Sequence, residues 1–354
     1  MSADGTCADR YAAADLLAAA RALFAAAGVE PAKAEAVATY LVEADLMGHT
    51  THGLALAGWY LQLLADGVLN GAGDYEVISD RPAAVAWRGN RLPGAWLTAE
   101  AVTLAVARAA ETGTCTVVVG DSGHIGALAA YLPIATGQGM MASITSSSPS
   151  GAQVAPFGGT RGLYTPDPVA HGIPTPGDPI LIDISASITT VNMAQRMIRE
   201  GRQYEHDWLM DAAGAPARDP QVLSAGGTLM PVGGLDHGQK GYGMALQAEA
   251  VTQGLAGWGR ADAPKGTCCA FTVQVWDPEA FGGREAFLRQ TGWLAEACRS
   301  NPPRPGVSAV RLPGQNAARR KAEGLAQGVR LHDGIIASLV PHADRLGVAL
   351  PAPL

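Results

Sequence analysis

An α/β fold with a helical cap and a helical tail is predicted by three features of the chain. Apolar residues recur at helical spacing through roughly the first 70 residues and again from 315 to 348. From about Tyr75 the texture changes to short apolar runs separated by glycine and proline, the mark of strands. One of these runs, 115–119, is apolar but for Thr116, as in a buried strand.

The opening region reads as three helices, about 13–27, 31–47 and 53–65. Gly28 follows the first as a left-handed stop, Pro31 opens the second where no N–H donor is needed, and Gly67 ends the third. In the second, Ala34, Val37, Ala38, Leu41 and Ala44 form an apolar stripe that needs another layer to cover it. Segments 77–79 and 83–87 read as a hairpin, 97–111 as a helix, and 141–145, 181–184 and 270–275 as further strands. Helices are expected at about 188–200, 239–254 and 279–299. The tail, marked by Leu325, Val329, Ile335, Ile336 and Leu339, is expected to pack back on the N-terminal cap. Segment 146–180, rich in Ser, Gly and Pro, is too long for an idle connection and is expected to line a site.

A length of 354 residues corresponds to about two domains. Charged residues make up 16% of the chain, against about 25% in an average protein. So little polar material implies that some surface is hidden in an oligomer interface. A net charge of -7 without any basic run argues against nucleic acid as a partner. The five cysteines, Cys7, Cys115, Cys268, Cys269 and Cys298, form no Cys-x-x-Cys pair. They read as reduced, mostly buried thiols of a cytoplasmic protein rather than a zinc site or disulfide framework. The Ala-rich start is broken by Asp15 and Arg21, so it reads as an amphipathic helix and not a secretory signal. No uncharged apolar stretch approaches the ~20 residues of a membrane span. Neither His-Glu-x-x-His, a carboxylate cluster nor Gly-x-Ser-x-Gly occurs, so neither a metal site nor a serine nucleophile is expected.

Four segments carry candidate chemistry. His52 stands in Gly48-His-Thr-Thr-His-Gly53, just before an apolar helix whose N–H groups the hydroxyls of Thr50 and Thr51 can cap. It is either a proton donor or a surface histidine beside an ordinary cap. His124 lies in Gly120-Asp-Ser-Gly123-His-Ile-Gly126, after a strand and before an apolar helix, at the kind of strand end where α/β sheets place ligands. That segment lacks Gly-x-Gly-x-x-Gly spacing, and a satisfied half-buried histidine explains it equally well. Lys240 lies in Gly238-Gln-Lys-Gly-Tyr-Gly243 at a helix start that favours an anion, although a lysine in a loop needs no special reason. Asp183 sits inside the apolar run Leu-Ile-Asp-Ile-Ser, where an unpaired carboxylate is costly, which makes it the acidic residue best placed for a role.

In order, EADLMGHTTHGL (43–54), SGHIGALAAYLP (122–133), VAPFGG (154–159), ILIDISAS (180–187), GQKGYGMAL (238–246) and RLPG (311–314) resemble the malate/L-lactate dehydrogenase family. The resemblance runs from about Asp15 to Val348. It implies an NAD- or NADP-dependent oxidoreductase without a Rossmann fold. The cofactor domain, 76–304, would be built on a largely antiparallel mixed sheet covered by helices. A helical domain made from 1–75 with 305–354 would complete a homodimer. The resemblance also makes His52 the proton donor and puts His124 and Tyr131 in the active-site cleft, with Thr51 beside the substrate. The cofactor would be held by Ile180, Leu181, Ile182, Asp183, Ile184 and Ser185, by Gln239 with Lys240, and by Gly314, Gln315 and Asn316.

Two departures bear on the substrate. The family has an arginine after Ala-Asp-Leu, where this chain has Met47, and another after the His-Gly turn, at a position that corresponds to Leu56. A planar cation suits a substrate carboxylate, and losing such a contact costs an anion about 2–5 kcal/mol when buried. Plain malate or lactate is therefore not the expected substrate, and a cyclic imine is an alternative. Arg161 is a candidate replacement cation. The Thr165-Pro-Asp-Pro168 segment and Gln239, in place of a histidine, also depart from the pattern. A cofactor-binding protein without dehydrogenase activity is the reading from another class. A donor must be protonated, so His52 is expected to have a carboxylate close by, Asp183 first and Asp45 second.

Overall fold

The computed structural model describes residues 9–354, so Cys7 lies outside the described residues. Strand β1 (Arg10–Tyr11) leads into α1 (Ala13–Ala26), α2 (Pro31–Met47) and, after a 3-10 turn at Leu54–Leu56, α3 (Ala57–Ala65). The hairpin β2 (Glu76–Arg81) and β3 (Ala84–Arg88) follows, then α4 (Gly94–Thr112), β4 (Thr114–Ser122), the single turn α5 (Pro133–Thr136), β5 (Met141–Ser147), β6 (Val169–Ile173) and β7 (Ile180–Ile184). Next come α6 (Val191–Arg199), the short strands β8 (Leu209–Met210), β9 (Pro216–Ala217) and β10 (Thr228–Leu229), and helices α7 (Gly234–His237) and α8 (Gln239–Glu249). The chain ends with β11 (Cys269–Trp276), α9 (Arg284–Arg299), α10 (Gln315–Gln327), β12 (Val329–Arg330) and α11 (Ile335–Leu346).

The main sheet runs β2-β3-β4-β11-β5-β6-β7, and only β3 with β4 is parallel. This is the largely antiparallel mixed sheet that the resemblance implied. In its two central strands the alternate residues Cys115, Val117 and Val119, and Phe271, Val273 and Val275, are all fully buried. Helix α4 lies against β4 and β11. It presents Ala101, Ala105 and Ala109, which let the backbone approach the sheet closely.

The tail returns to the cap as expected. Strand β12 pairs with β1, α10 packs on α2, and α11 packs on α1 and α3. One apolar cluster runs from Leu16 through Phe271 to Leu339, so the cap, the sheet and the tail share a core. Cys115, Cys268 and Cys269 are buried free thiols, and Cys298 is half-buried. Among the described residues no helix is long and apolar enough to cross a membrane.

Four expectations need correction. The apolar helix after Gly126 is instead a 3-10 turn at Leu128–Tyr131 followed by α5, since Pro133 cannot donate to a helix already under way. Helix α6 starts at Val191, where the Thr190 hydroxyl accepts from the Met193 N–H at 3.2 Å. Helix α9 starts only at Arg284, after the 3-10 turn Pro278–Ala280 and Gly282-Gly283. Finally, 146–180 contains strand β6, whose Pro168 neighbour and interior His171-Gly172 obscure its pattern.

Candidate active site

Helix α2 ends at Gly48, and the turn that follows is held from several sides. The buried Asp45 carboxylate reaches forward and accepts the Leu54 N–H at 2.7 Å. Gly53 has to lack a side chain, because a Cβ there would lie on that carboxylate. From α6, Arg196 donates to the Thr50 hydroxyl at 2.9 Å and to the Thr50 carbonyl at 2.7 Å, while Asn192 donates to the Thr51 carbonyl at 3.3 Å. The threonine hydroxyls therefore do not cap the next helix. Thr50 receives Arg196, Thr51 meets His52, and Asp45 satisfies the N–H that a cap would have taken.

His52 Nδ1 lies 2.8 Å from the Thr51 hydroxyl. The His124 ring is stacked beside it, with centroids 6.1 Å apart and planes inclined by 25°. His124 Nδ1 accepts the Gly126 N–H at 3.2 Å, so it is unprotonated there and also accepts the Tyr60 hydroxyl at 2.6 Å. This network assigns the proton of a neutral His124 to Nε2. A hydrogen bond from Gly123 N–H to the Leu92 carbonyl ties the His124 turn to the start of α4.

Desolvation dominates the electrostatics. Burial, with the nearby His49 and Arg196 charges, pushes the His52 pKa down to about 4. Burial and His52 push His124 down to about 3. Burial raises the Asp45 carboxyl to about 7 against the opposing effects of the Leu54 N–H and Arg196. Asp183 is likewise raised by burial, opposed by His49 and by backbone N–H groups, including that of Ala129 at 2.9 Å. The expected carboxylate partner of His52 is thus not seen. Asp183 faces His49, Asp45 faces Leu54 and Arg196, and the charges that act on His52 both lower its pKa.

His49, Thr51, His52, His124 and Asp183 line one cavity of about 710 Å³, within the ~300–1,000 Å³ of small-molecule sites. Ser146, Ser147, Gly151 and Thr165 form part of its wall, as expected of the 146–180 segment. From β7 and its exit, Asp183, Ile184 and Ser185 reach the cavity, whereas Ile180, Leu181 and Ile182 lie outside its wall. The other cofactor segments gather around β7 without lining the cavity. Leu181 N–H donates to the Pro313 carbonyl at 3.2 Å, and Gly314, at φ +88°, has Leu181 where a Cβ would go. That glycine opens α10, with Gln315 and Asn316 in its first turn. Beyond the other end of β7, Val232 bonds both Ala186 and Gly241, which brings in the first turn of α8 with exposed Gln239 and Lys240.

Three expected substrate contacts are not in the cavity wall. Met47 and Leu56 are buried in the main core. Tyr131 is buried too, its hydroxyl donating to the Ile125 carbonyl at 2.6 Å and its ring 4.3 Å from Tyr40. Arg161 is exposed and outside the wall. Conversely, sequence reasoning missed His49, Trp59, Trp208 and Arg196. His49 had a readable signal, as the second imidazole of the Gly48–Gly53 turn. Arg196 had none, since a helix C-terminal arginine ordinarily points to solvent.

A mixed, mostly antiparallel sheet beneath a histidine-bearing helical cap defines an α/β architecture distinct from the doubly wound dinucleotide fold. The chain belongs to the malate/L-lactate dehydrogenase family, whose model matches residues 11–340, and is a dehydrogenase. It is 26% identical over 331 residues to a malate dehydrogenase of Pyrococcus abyssi, covering 91% of this chain and 90% of that one. It is 32% identical over 235 residues to a (2R)-3-sulfolactate dehydrogenase (NADP(+)) of Chromohalobacter salexigens, covering 66% and 68%. The crystal structure of a delta1-piperideine-2-carboxylate reductase from Pseudomonas syringae superposes with a TM-score of 0.83 at 25% identity, covering 94% and 99%.

Proposed function

We infer that this chain moves a hydride between a nicotinamide cofactor, NAD or NADP, and a small 2-oxo or 2-hydroxy compound, with His52 carrying the proton. The observation that carries this reading is the stacked His52–His124 pair in the cavity wall. With its own proton on Nδ1, donated to the Thr51 hydroxyl, His52 has Nε2 free to accept the hydroxyl proton of an alcohol. His124, with its proton on Nε2, offers a donor to the same oxygen. A pKa of about 4 keeps His52 neutral near pH 7, the form needed for alcohol oxidation. In the reverse direction the same ring returns the proton.

The residues around β7 fit a dinucleotide. The start of α10 meets that strand at Leu181 and the start of α8 meets its exit at Ala186, and helix N-termini suit a pyrophosphate. In this reading Ile180 to Ser185, Gln239 with Lys240, and Gly314 with Gln315 and Asn316 hold the cofactor, and 76–304 is its domain. When bound, the nicotinamide supplies the site that accepts or returns hydride. Residues 1–75 with 305–354 complete the substrate side and a homodimer, in keeping with exposed Leu325 and Val340 on the tail. Free thiols are in keeping with a cytoplasmic location.

A second reading, reduction of a cyclic imine, draws on the likeness to the piperideine carboxylate reductase. The experiment that tests both is NAD(P)H oxidation with a panel of 2-oxo acids, neutral ketones and cyclic imines. Turnover of a carbonyl compound supports the first reading and turnover of imines alone the second. Absence of turnover with every member counts against both.

A further inference from the structure

Resting on the dehydrogenase reading, we propose that the cavity takes carbonyl or alcohol substrates that carry no carboxylate or sulfonate beside the reacting carbon. The wall itself is the first ground. Among the described residues no lysine or arginine lines the cavity, and residues 1–8 contain none. The carboxylate that does line it is Asp183, which repels an anion whenever it is ionised.

The nearby cations are turned to other partners. Arg196 spends its two Nη groups on Thr50 at 2.9 and 2.7 Å, and although its buried Nε has no partner the residue is not part of the cavity wall. Arg260 is paired with both Glu249 oxygens at 2.8 Å and donates to the Ser148 carbonyl at 2.8 Å. Arg91 is taken up by Asp121 at 3.3 Å and the Lys265 carbonyl at 2.6 Å. Met47 and Leu56 are sealed in the core, so those positions bring no cation to the cavity. An anion entering here loses its hydration without gaining the bidentate partner that normally offsets it.

What the wall does offer suits an uncharged molecule. Trp59 and Trp208 supply aromatic surface, Ile125, Ile188 and Met193 supply apolar surface, and His124 supplies one N–H donor. The substrate is accordingly an uncharged ketone, such as a 2-oxo ester or 2-oxo amide, or the matching secondary alcohol, with an apolar body.

Mandelate, methyl mandelate and mandelamide share one reacting carbon and one phenyl ring but differ in charge, and they form the test. Their kcat/KM with NAD or NADP and their Kd by quenching of tryptophan fluorescence are measured on the intact protein. The ester and amide are expected to exceed the acid by at least about tenfold in both quantities. Equal or better binding and turnover of the acid overturns the proposal, and so does failure of all three to bind. Turnover that favours the acid leaves the dehydrogenase reading standing and removes the charge inference. Tighter binding of the ester with no turnover of any of the three does the reverse. Ile188→Arg, which adds a guanidinium to the wall, is expected to narrow the ratio toward the acid, and an unchanged ratio contradicts the proposal.

Discussion

His52 and Asp45 are seven residues apart, and burial drives them in opposite directions. The His52 pKa falls to about 4 from 6.5, so its contribution to stability is present above 6.5 and lost as pH falls through about 4. The Asp45 pKa rises from 3.8 to about 7, so its contribution is present below 3.8 and lost as pH rises through about 7. The orphaned Asp45 Oδ1 is consistent with a carboxyl that keeps its proton. Asp45→Asn cannot ionise yet retains an acceptor for Leu54. In denaturant unfolding at pH 5 and pH 8, the stability lost by the wild type on going to pH 8 is expected to shrink by on the order of 1–3 kcal/mol in the variant. An unchanged difference contradicts a protonated Asp45.

At the scale of elements, the His52 turn is held by α6 as well as by its own helix α2. Arg196 and Asn192 fix Thr50 and Thr51, and Arg196 also holds the His52 pKa down. Arg196→Gln is expected to lower kcat/KM by about 10-fold to 100-fold through misplacement. It should also move the acid limb of the pH–rate profile upward, and Arg196→Lys, which keeps the charge, is expected to leave the limb nearer its wild-type position. An acid limb that stays in place contradicts the electrostatic part. This dependence was invisible in the sequence, where the turn and α6 are about 145 residues apart. What was legible were local signals: Pro31 at a helix start, the apolar stripe of α2, and the apolar run of β4. Positions whose identity came from spacing to a motif fared worse. Met47 and Leu56 flank the turn in sequence, but the local backbone turns both into the core. Strand β6 was hidden because its burial comes from pairing with β5 and β7 rather than from its own composition.

For the whole molecule, the tail seals the core that supports the cap and the sheet together. Leu339 on α11 is 3% exposed within that cluster, so Leu339→Ala is expected to cost about 2–4 kcal/mol in urea denaturation. A cost near zero contradicts a shared core. In the proposed reading the cap contributes His52 to the cavity wall, while the cofactor segments are those that gather around β7. The central claim is that proton transfer belongs to the cap and cofactor binding to the sheet. Its most direct test is His52→Ala, assayed for turnover and, by fluorescence titration, for NAD(P)H affinity. The account predicts that kcat falls by about 10²–10⁴-fold with cofactor affinity essentially unchanged. Undiminished turnover contradicts it.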